Sequence, residues 1–257
     1  MEPADIYYFS GTGNTLLACR EIAATLGERG VEAKLHPIER SDPAAVDTGH
    51  TLGVGFPTAA AVTYPIVLDF IHRLPPGGGA GAFAVTTLGG GSLGVLDHVK
   101  GILAGKGYTP LGAKEIHMPF NTLIRRYDPG KTRRQVGKGL EYARRLAVDL
   151  AEGEARWGRI PIIPDLAARA LTNRRAWNFF GRLTPVHRDE KKCTGCRFCE
   201  RICPARAMRA DARSESLEGC QLCLRCVSYC PEGALYYARD LFARYRAVDA
   251  TEFPTQP

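Results

Sequence analysis

Eight of the nine cysteines lie between Cys193 and Cys230, and they repeat one pattern twice. Cys193-Thr-Gly-Cys196-Arg-Phe-Cys199-Glu-Arg-Ile-Cys203-Pro204 recurs 27 residues later as Cys220-Gln-Leu-Cys223-Leu-Arg-Cys226-Val-Ser-Tyr-Cys230-Pro231. Likeness continues past the prolines, with Ala207-Met208 matching Ala234-Leu235. Cysteine spaced C-x2-C-x2-C-x3-C-P, twice, is the bacterial pattern for a pair of 4Fe–4S cubanes. Three thiolates two residues apart can wrap three irons of one cubane from a tight turn. The fourth is expected to start a helix that points away and to reach the other cubane. The expected ligand sets are Cys193, Cys196, Cys199 and Cys230 for one, and Cys220, Cys223, Cys226 and Cys203 for the other. Pro204 and Pro231 bend the chain beside the sulfurs and lack an N–H. Zinc takes two C-x2–4-C knuckles rather than this run. A disulfide framework would follow a secretory signal and spread its cysteines over a small chain. So small a unit buries too little apolar surface to fold alone, and its clusters are expected to be its core. Cys19 stands apart on a helical face and reads as a small core hydrophobe.

A second chemical signal is Phe9-Ser10-Gly11-Thr12-Gly13-Asn14-Thr15, which joins an apolar strand to a helical segment. A helix N-terminus offers free N–H groups and the positive end of a dipole, both suited to a phosphate. Gly11 and Gly13 let the backbone curl around such a group. Ser10, Thr12, Asn14 and Thr15 add donors. The loop has no Lys or Arg, so it is not a Walker loop, and Leu16 stands where G-x-G-x-x-G needs its third glycine. What remains is an uncharged cradle for a monophosphate.

The elements that hold these loops are legible in the hydrophobic period. Strands are expected at Asp5–Phe9, Glu32–Ile38, Thr51–Phe56, Ala82–Thr87 and Leu111–Met118. Helices are expected at Thr15–Arg29, Tyr64–Arg73, Leu93–Ala104 and Lys131–Glu152. Leu16, Cys19, Ala23 and Leu26 can share one face of the first helix. Gly137 and Gly139 weaken the middle of the last. Strands alternating with helices imply an α/β unit, a parallel sheet covered on both faces, with ligands at the carboxyl ends of its strands. The expected divisions are 1–152 for this unit, 153–187 for a basic and partly helical connector, 188–240 for the cysteine-rich unit and 241–257 for a polar tail. Within the connector, Leu166–Phe180 reads as one helix, with Arg174, Arg175 and Trp177 on it.

The Ser10–Thr15 loop after the first strand resembles the flavodoxin fingerprint, and the cysteine repeat resembles a bacterial dicluster ferredoxin. Together the chain resembles flavodoxin–ferredoxin fusion proteins over about three quarters of its length. That resemblance implies a flavodoxin-like, doubly wound, five-stranded parallel sheet in the order 2-1-3-4-5, with a small α+β dicluster ferredoxin domain. It implies FMN, its phosphate on Ser10, Gly11, Thr12, Gly13, Asn14 and Thr15. The isoalloxazine would lie between the loop with Pro57, Thr58 and Ala59 and the loop with Thr87, Leu88, Gly89, Gly90 and Gly91, within reach of Asn121. Neither loop core offers an aromatic to stack on the ring, although Tyr64 stands nearby.

The formal net charge is +7. Residues 125–192 hold 17 Lys or Arg and 8 Asp or Glu, and the rest of the chain holds 17 and 19, so the excess lies between the two chemical ends. Two oxidised clusters and a flavin phosphate would add roughly −4 and −2, which argues against a nucleic-acid partner. The start, Met1-Glu2-Pro3-Ala4-Asp5, has no basic region, and no apolar run reaches the length of a membrane span, so the expected compartment is the cytoplasm. The expected function is electron transfer between two 4Fe–4S clusters and a bound FMN, serving a redox partner protein, a reductase or acceptor enzyme. No catalytic acid or base is placed by the sequence. A flavin-dependent reductase of a quinone or activated alkene, using His117, Tyr64 or Asn121, is one alternative. A redox-responsive binding module built on the basic connector is the other.

Overall fold

A computed structural model of the chain describes residues 1–60, 62–92, 94–121, 126–157, 186–209, 219–237 and 243–255. Strand β1 (Ala4–Tyr8) leads to helix α1 (Asn14–Glu28), then β2 (Ala33–Pro37) and β3 (Thr51–Pro57). Helix α2 (Pro65–His72), β4 (Gly81–Leu88), α3 (Val95–Gly105), β5 (Thr109–His117) and α4 (Pro129–Glu152) complete the unit. All five strands pair in parallel in the order β2-β1-β3-β4-β5. This is the flavodoxin-like order.

Alternation along the strands builds a core on each face. Ile6, Tyr8, Phe83, Val85 and Ile116 turn towards α1 and α4, where Leu16, Cys19, Ile22, Leu26, Leu146 and Leu150 meet them. Tyr7, Phe9, Leu52, Val54 and Phe56 turn the other way, towards Val67, Ile71, Val99 and Leu103 of α2 and α3. Each such fully buried aliphatic or Phe side chain contributes about 1.5–3 kcal/mol by leaving water. Cys19 is 0% exposed, and burial pushes its thiol up to about 12, so it is the inert core residue its position suggests.

Boundaries move where capping chemistry overrides period. Helix α4 starts at Pro129 rather than Lys131 because Asp128 accepts a hydrogen bond from the Lys131 N–H (2.7 Å) and proline is favourable in a first turn. After α4 the chain runs back along β5. Trp157 pairs with Ala113, and its indole N–H donates to the Leu96 carbonyl (3.1 Å). The predicted Leu166–Phe180 helix, with Arg174, Arg175 and Trp177, falls outside the described residues.

A third core lies towards the C-terminus. It gathers Val186, Ile202, Val227, Tyr229, Leu235 and Phe253 around Cys203, Cys226 and Cys230. Strands β6 (His187–Arg188) and β7 (Leu235–Tyr236) form a short antiparallel ladder. Between them, among the described residues, are two short helices, α5 (Phe198–Arg201) and α6 (Arg225–Tyr229). Among the described residues no helix is long and apolar enough to cross a membrane.

Candidate functional site: a cavity walled by a cysteine loop

The Ser10–Thr15 loop emerges at the carboxyl edge of the sheet and ends in the first turn of α1. Gly13 takes φ +105, a conformation that side chains disfavour, and its N–H donates to Ser10 Oγ (3.1 Å). The following N–H groups have no partner within the helix and face the loop. Thr15 Oγ1 shares a hydrogen bond with Thr87 Oγ1 (2.8 Å). Asn14 Nδ2 donates to the Pro119 carbonyl (3.0 Å), and Asn121 Nδ2 donates to Thr12 Oγ1 (3.0 Å). The loops after β1 and β5 and the end of β4 are thus tied together through side chains.

Gly11 corrects the sequence reading. Its φ is not left-handed, so curling is not what requires glycine. A Cβ there would stand 2.4 Å from the carbonyl oxygen of Cys223. Glycine is needed because the cysteine-rich unit presses directly on the loop. The polar tail presses on it too. The Ala247 N–H donates to the Thr12 carbonyl (2.8 Å), and the Tyr245 hydroxyl donates to Asn14 Oδ1 (2.7 Å). Residues 243–255 therefore act as a strap, which Arg20 pins to α1 through Glu252.

Beside this loop opens a cavity of about 570 Å³. Every residue expected to hold a flavin lines it except Gly13: Ser10, Gly11, Thr12, Asn14, Thr15, Pro57, Thr58, Ala59, Thr87, Leu88, Gly89, Gly90, Gly91 and Asn121. None of its described lining residues is charged. Uncharged donors at one end and glycine backbone between apolar walls fit a flavin monophosphate. Neither of the two ring loops contributes an aromatic, but other segments do. Tyr64 and Phe120 line the cavity, and Tyr237 reaches it from the cysteine-rich unit. Tyr64 is buried edge-on to Phe9 (5.3 Å), and burial raises its phenol far above the usual range, so it stays protonated. His117, weighed as a proton donor, ends β5 exposed and outside the lining.

The other wall is the second cysteine loop. Leu222 and Leu224, on either side of Cys223, both line the cavity. Gln221 Oε1 accepts the Ile66 N–H of α2 (3.1 Å) and fixes the loop there. The two loops repeat in backbone as well as sequence. Left-handed φ recurs at the same offset at Gly195 and Leu222 (72 and 53), Arg197 and Leu224 (56 and 62), and Arg206 and Gly233 (53 and 64). The two leucines carry about 1–2 kcal/mol each of backbone strain, offset by the packing of Leu222 against the cores of both units and the burial of Leu224 in the third core.

One expectation about the cysteines is corrected. The fourth cysteine of each set does not start a helix. It follows one, since α5 carries Cys199 and ends before Cys203, and α6 carries Cys226 and ends before Cys230. One helical turn opened by the left-handed residue spans the third and fourth ligands, and the proline after the fourth prevents its continuation. Burial raises the thiols of Cys199, Cys220, Cys223 and Cys226, the Cys223 thiol to about 12. Buried thiols of this kind become thiolates when iron supplies the opposing charge. Among the described residues no three His, Cys, Asp or Glu converge as ligands of one ion do, whereas the thiolates of a cubane sit on separate irons.

A flavodoxin-like sheet thus meets a repeated four-cysteine loop at its carboxyl edge. Residues 185–236 match the family of the 4Fe-4S dicluster domain. An uncharacterized protein of Methanocaldococcus jannaschii is 42% identical over 50 residues, which is 20% of this chain and 20% of that one. Solved structures similar to the remainder include a flavodoxin from the domain Archaea, at 17% identity and TM-score 0.45, covering 58% of this chain and 96% of that one. Two-electron reduced Megasphaera elsdenii flavodoxin is 22% identical with TM-score 0.40, covering 54% of this chain and 98% of its own.

Proposed function

We propose that the protein relays electrons between a redox partner and a bound FMN through two 4Fe–4S clusters, one outer and one inner. Leu222 and Leu224, which flank the inner ligand Cys223, are also walls of the flavin-sized cavity, and this observation carries the reading. The clusters exchange single electrons and the flavin one or two. In this reading Cys193, Cys196, Cys199 and Cys230 hold the outer cluster, and Cys220, Cys223, Cys226 and Cys203 the inner. Ser10 to Thr15 hold the FMN phosphate. The Pro57–Ala59 and Thr87–Gly91 loops hold the ring, with Tyr64, Phe120, Leu222 and Tyr237 excluding water from it.

The outer loop suits a partner. Gly195, Cys196 and Arg197 are exposed. Residues 186–209 carry seven Lys or Arg against three Asp or Glu, and Arg188 and Arg197 border the recess of the outer cysteines. Such a face steers an acidic redox protein. Reversing Arg197 and Arg201 to Glu is expected to slow reduction by an acidic donor protein roughly tenfold at low salt and to flatten the salt dependence. An unchanged rate and slope in stopped-flow mixing would remove the docking assignment.

The test of the relay is anaerobic purification with iron, sulfide and flavin counting, then a stepwise reductive titration. About eight irons and one FMN per chain are expected. Eight irons with no affinity for FMN would reduce the α/β unit to a docking scaffold and overturn the reading.

A further inference from the structure

At the centre of the contact between the two units is an ion pair. Arg225, the residue before Cys226, is 1% exposed. Its Nη2 donates to Glu39 Oε1 (2.7 Å) and to the Ser10 carbonyl (2.6 Å), and its Nη1 donates to the Ile202 carbonyl (3.4 Å) beside Cys203. The guanidinium lies over Phe253 (4.3 Å) and Phe9 (5.6 Å). The Glu39 side chain, on the one-turn segment after β2, is 2% exposed. Arg225 Nε is buried and makes no hydrogen bond among the described residues.

Packing alone does not call for a cation here. Phe198 holds the equivalent position in the outer loop, so the fold of the loop does not depend on arginine. The two arginines of the outer loop are exposed, Arg197 paired with Glu200 (2.7 Å) and Arg201 donating to the Cys196 carbonyl (3.1 Å), where water screens them. Arg225 has no such screening. Two proposed ligands of the inner cluster are its chain neighbours, Cys226 next to it and Cys223 two residues before, and a third, Cys203, is next to its acceptor Ile202.

We infer that Arg225 and Glu39 set the reduction potential of the inner cluster across the interface between the two units. The inference rests on the ligand assignment proposed above. Reduction adds one electron to the cluster. A low-dielectric site penalises that extra negative charge, and an unscreened cation beside it relieves the penalty. Arg225 therefore holds the potential up. Glu39 takes back part of that effect, because its carboxylate is paired with the guanidinium. The outer cluster, with Phe198 in place of the cation, lies beyond this control. The carboxylate belongs to the α/β unit and the guanidinium to the cysteine-rich unit, so the inner potential depends on docking.

The experiment is an EPR-monitored reductive titration of the holoprotein, comparing wild type, Glu39→Gln, Arg225→Lys and Arg225→Met. One of the two cluster potentials is expected to rise in Glu39→Gln and to fall in Arg225→Met. The same one should stay near wild type in Arg225→Lys, which keeps the charge. The other cluster should not move in any variant. A purely structural role would shift Glu39→Gln and Arg225→Met in the same direction or lower their iron content without moving a potential. Either result overturns the inference, as does a shift shared by both clusters. Should Arg225→Met not fold, the rise in Glu39→Gln with no change in Arg225→Lys decides alone. Wild-type protein without two titrating clusters would overturn the ligand assignment itself, an outcome visible in the iron count before any variant is made.

Discussion

The outer and inner cysteine loops share every ligand spacing and three left-handed backbone positions, yet they occupy opposite environments. In the outer loop Cys196 is exposed and no residue of α5 is buried. In the inner loop all of α6 is buried, from Arg225 to Tyr229. The cysteines are identical, so the residues between them make the difference. Thr194, Gly195 and Arg197 suit water, and Gln221, Leu222 and Leu224 suit a protein wall. Ligand spacing decides what is bound, and the intervening residues decide where the site sits and what it faces.

Removing one ligand from each loop should give the largest contrast. Cys196→Ala is expected to lose the outer cluster and keep FMN. Cys223→Ala is expected to lose the inner cluster and, because Leu222 and Leu224 flank that cysteine, most of the bound flavin as well. Iron and flavin counts on the two variants check this, and equal flavin retention would break the comparison.

A smaller effect is expected at the contact itself. Gly11→Val would place a side chain against the Cys223 backbone, which cannot retreat as a flexible side chain can. A loss of about 1–3 kcal/mol is expected in denaturant unfolding, together with weaker flavin retention. A neutral result would mean that the two units do not press together.

The smallest effect is expected in the outer loop. Gly195 has φ +72 and open space where a Cβ would stand. Gly195→Ala should cost about 1 kcal/mol of backbone strain with no change in iron content. Leu222 already bears that strain at the matching position, so a much larger cost would show that the outer loop is packed in a way its exposure contradicts.

Much of this was legible in the residue order. The hydrophobic period places the five strands and four long helices of the α/β unit, because β1, β3 and β4 are buried on both faces and each helix buries one. The cysteine repeat and the Ser10–Thr15 loop carry their chemistry locally. What stayed hidden depends on contacts between distant segments. Tyr237 reaches the cavity, Gly11 meets Cys223, and Glu39 pairs with Arg225 only after the two units dock. No local pattern marks any of these. The polar tail was equally mute, since Tyr245 and Ala247 bind the Ser10–Thr15 loop through one hydroxyl and one backbone N–H. That the short helices carry the third cysteine and end before the fourth could have been foreseen from Pro204 and Pro231, which end a helix more readily than they continue one.

The central claim is that the inner cluster loop and the flavin cavity form one site. Its most direct test is anaerobic stopped-flow reduction of the fully loaded protein by a limiting one-electron donor, following cluster and flavin absorbance over a range of protein concentrations. The flavin is expected to bleach after the clusters at a rate independent of protein concentration, as transfer within one chain requires. A flavin rate proportional to protein concentration would mean that electrons cross between molecules, and would contradict the claim.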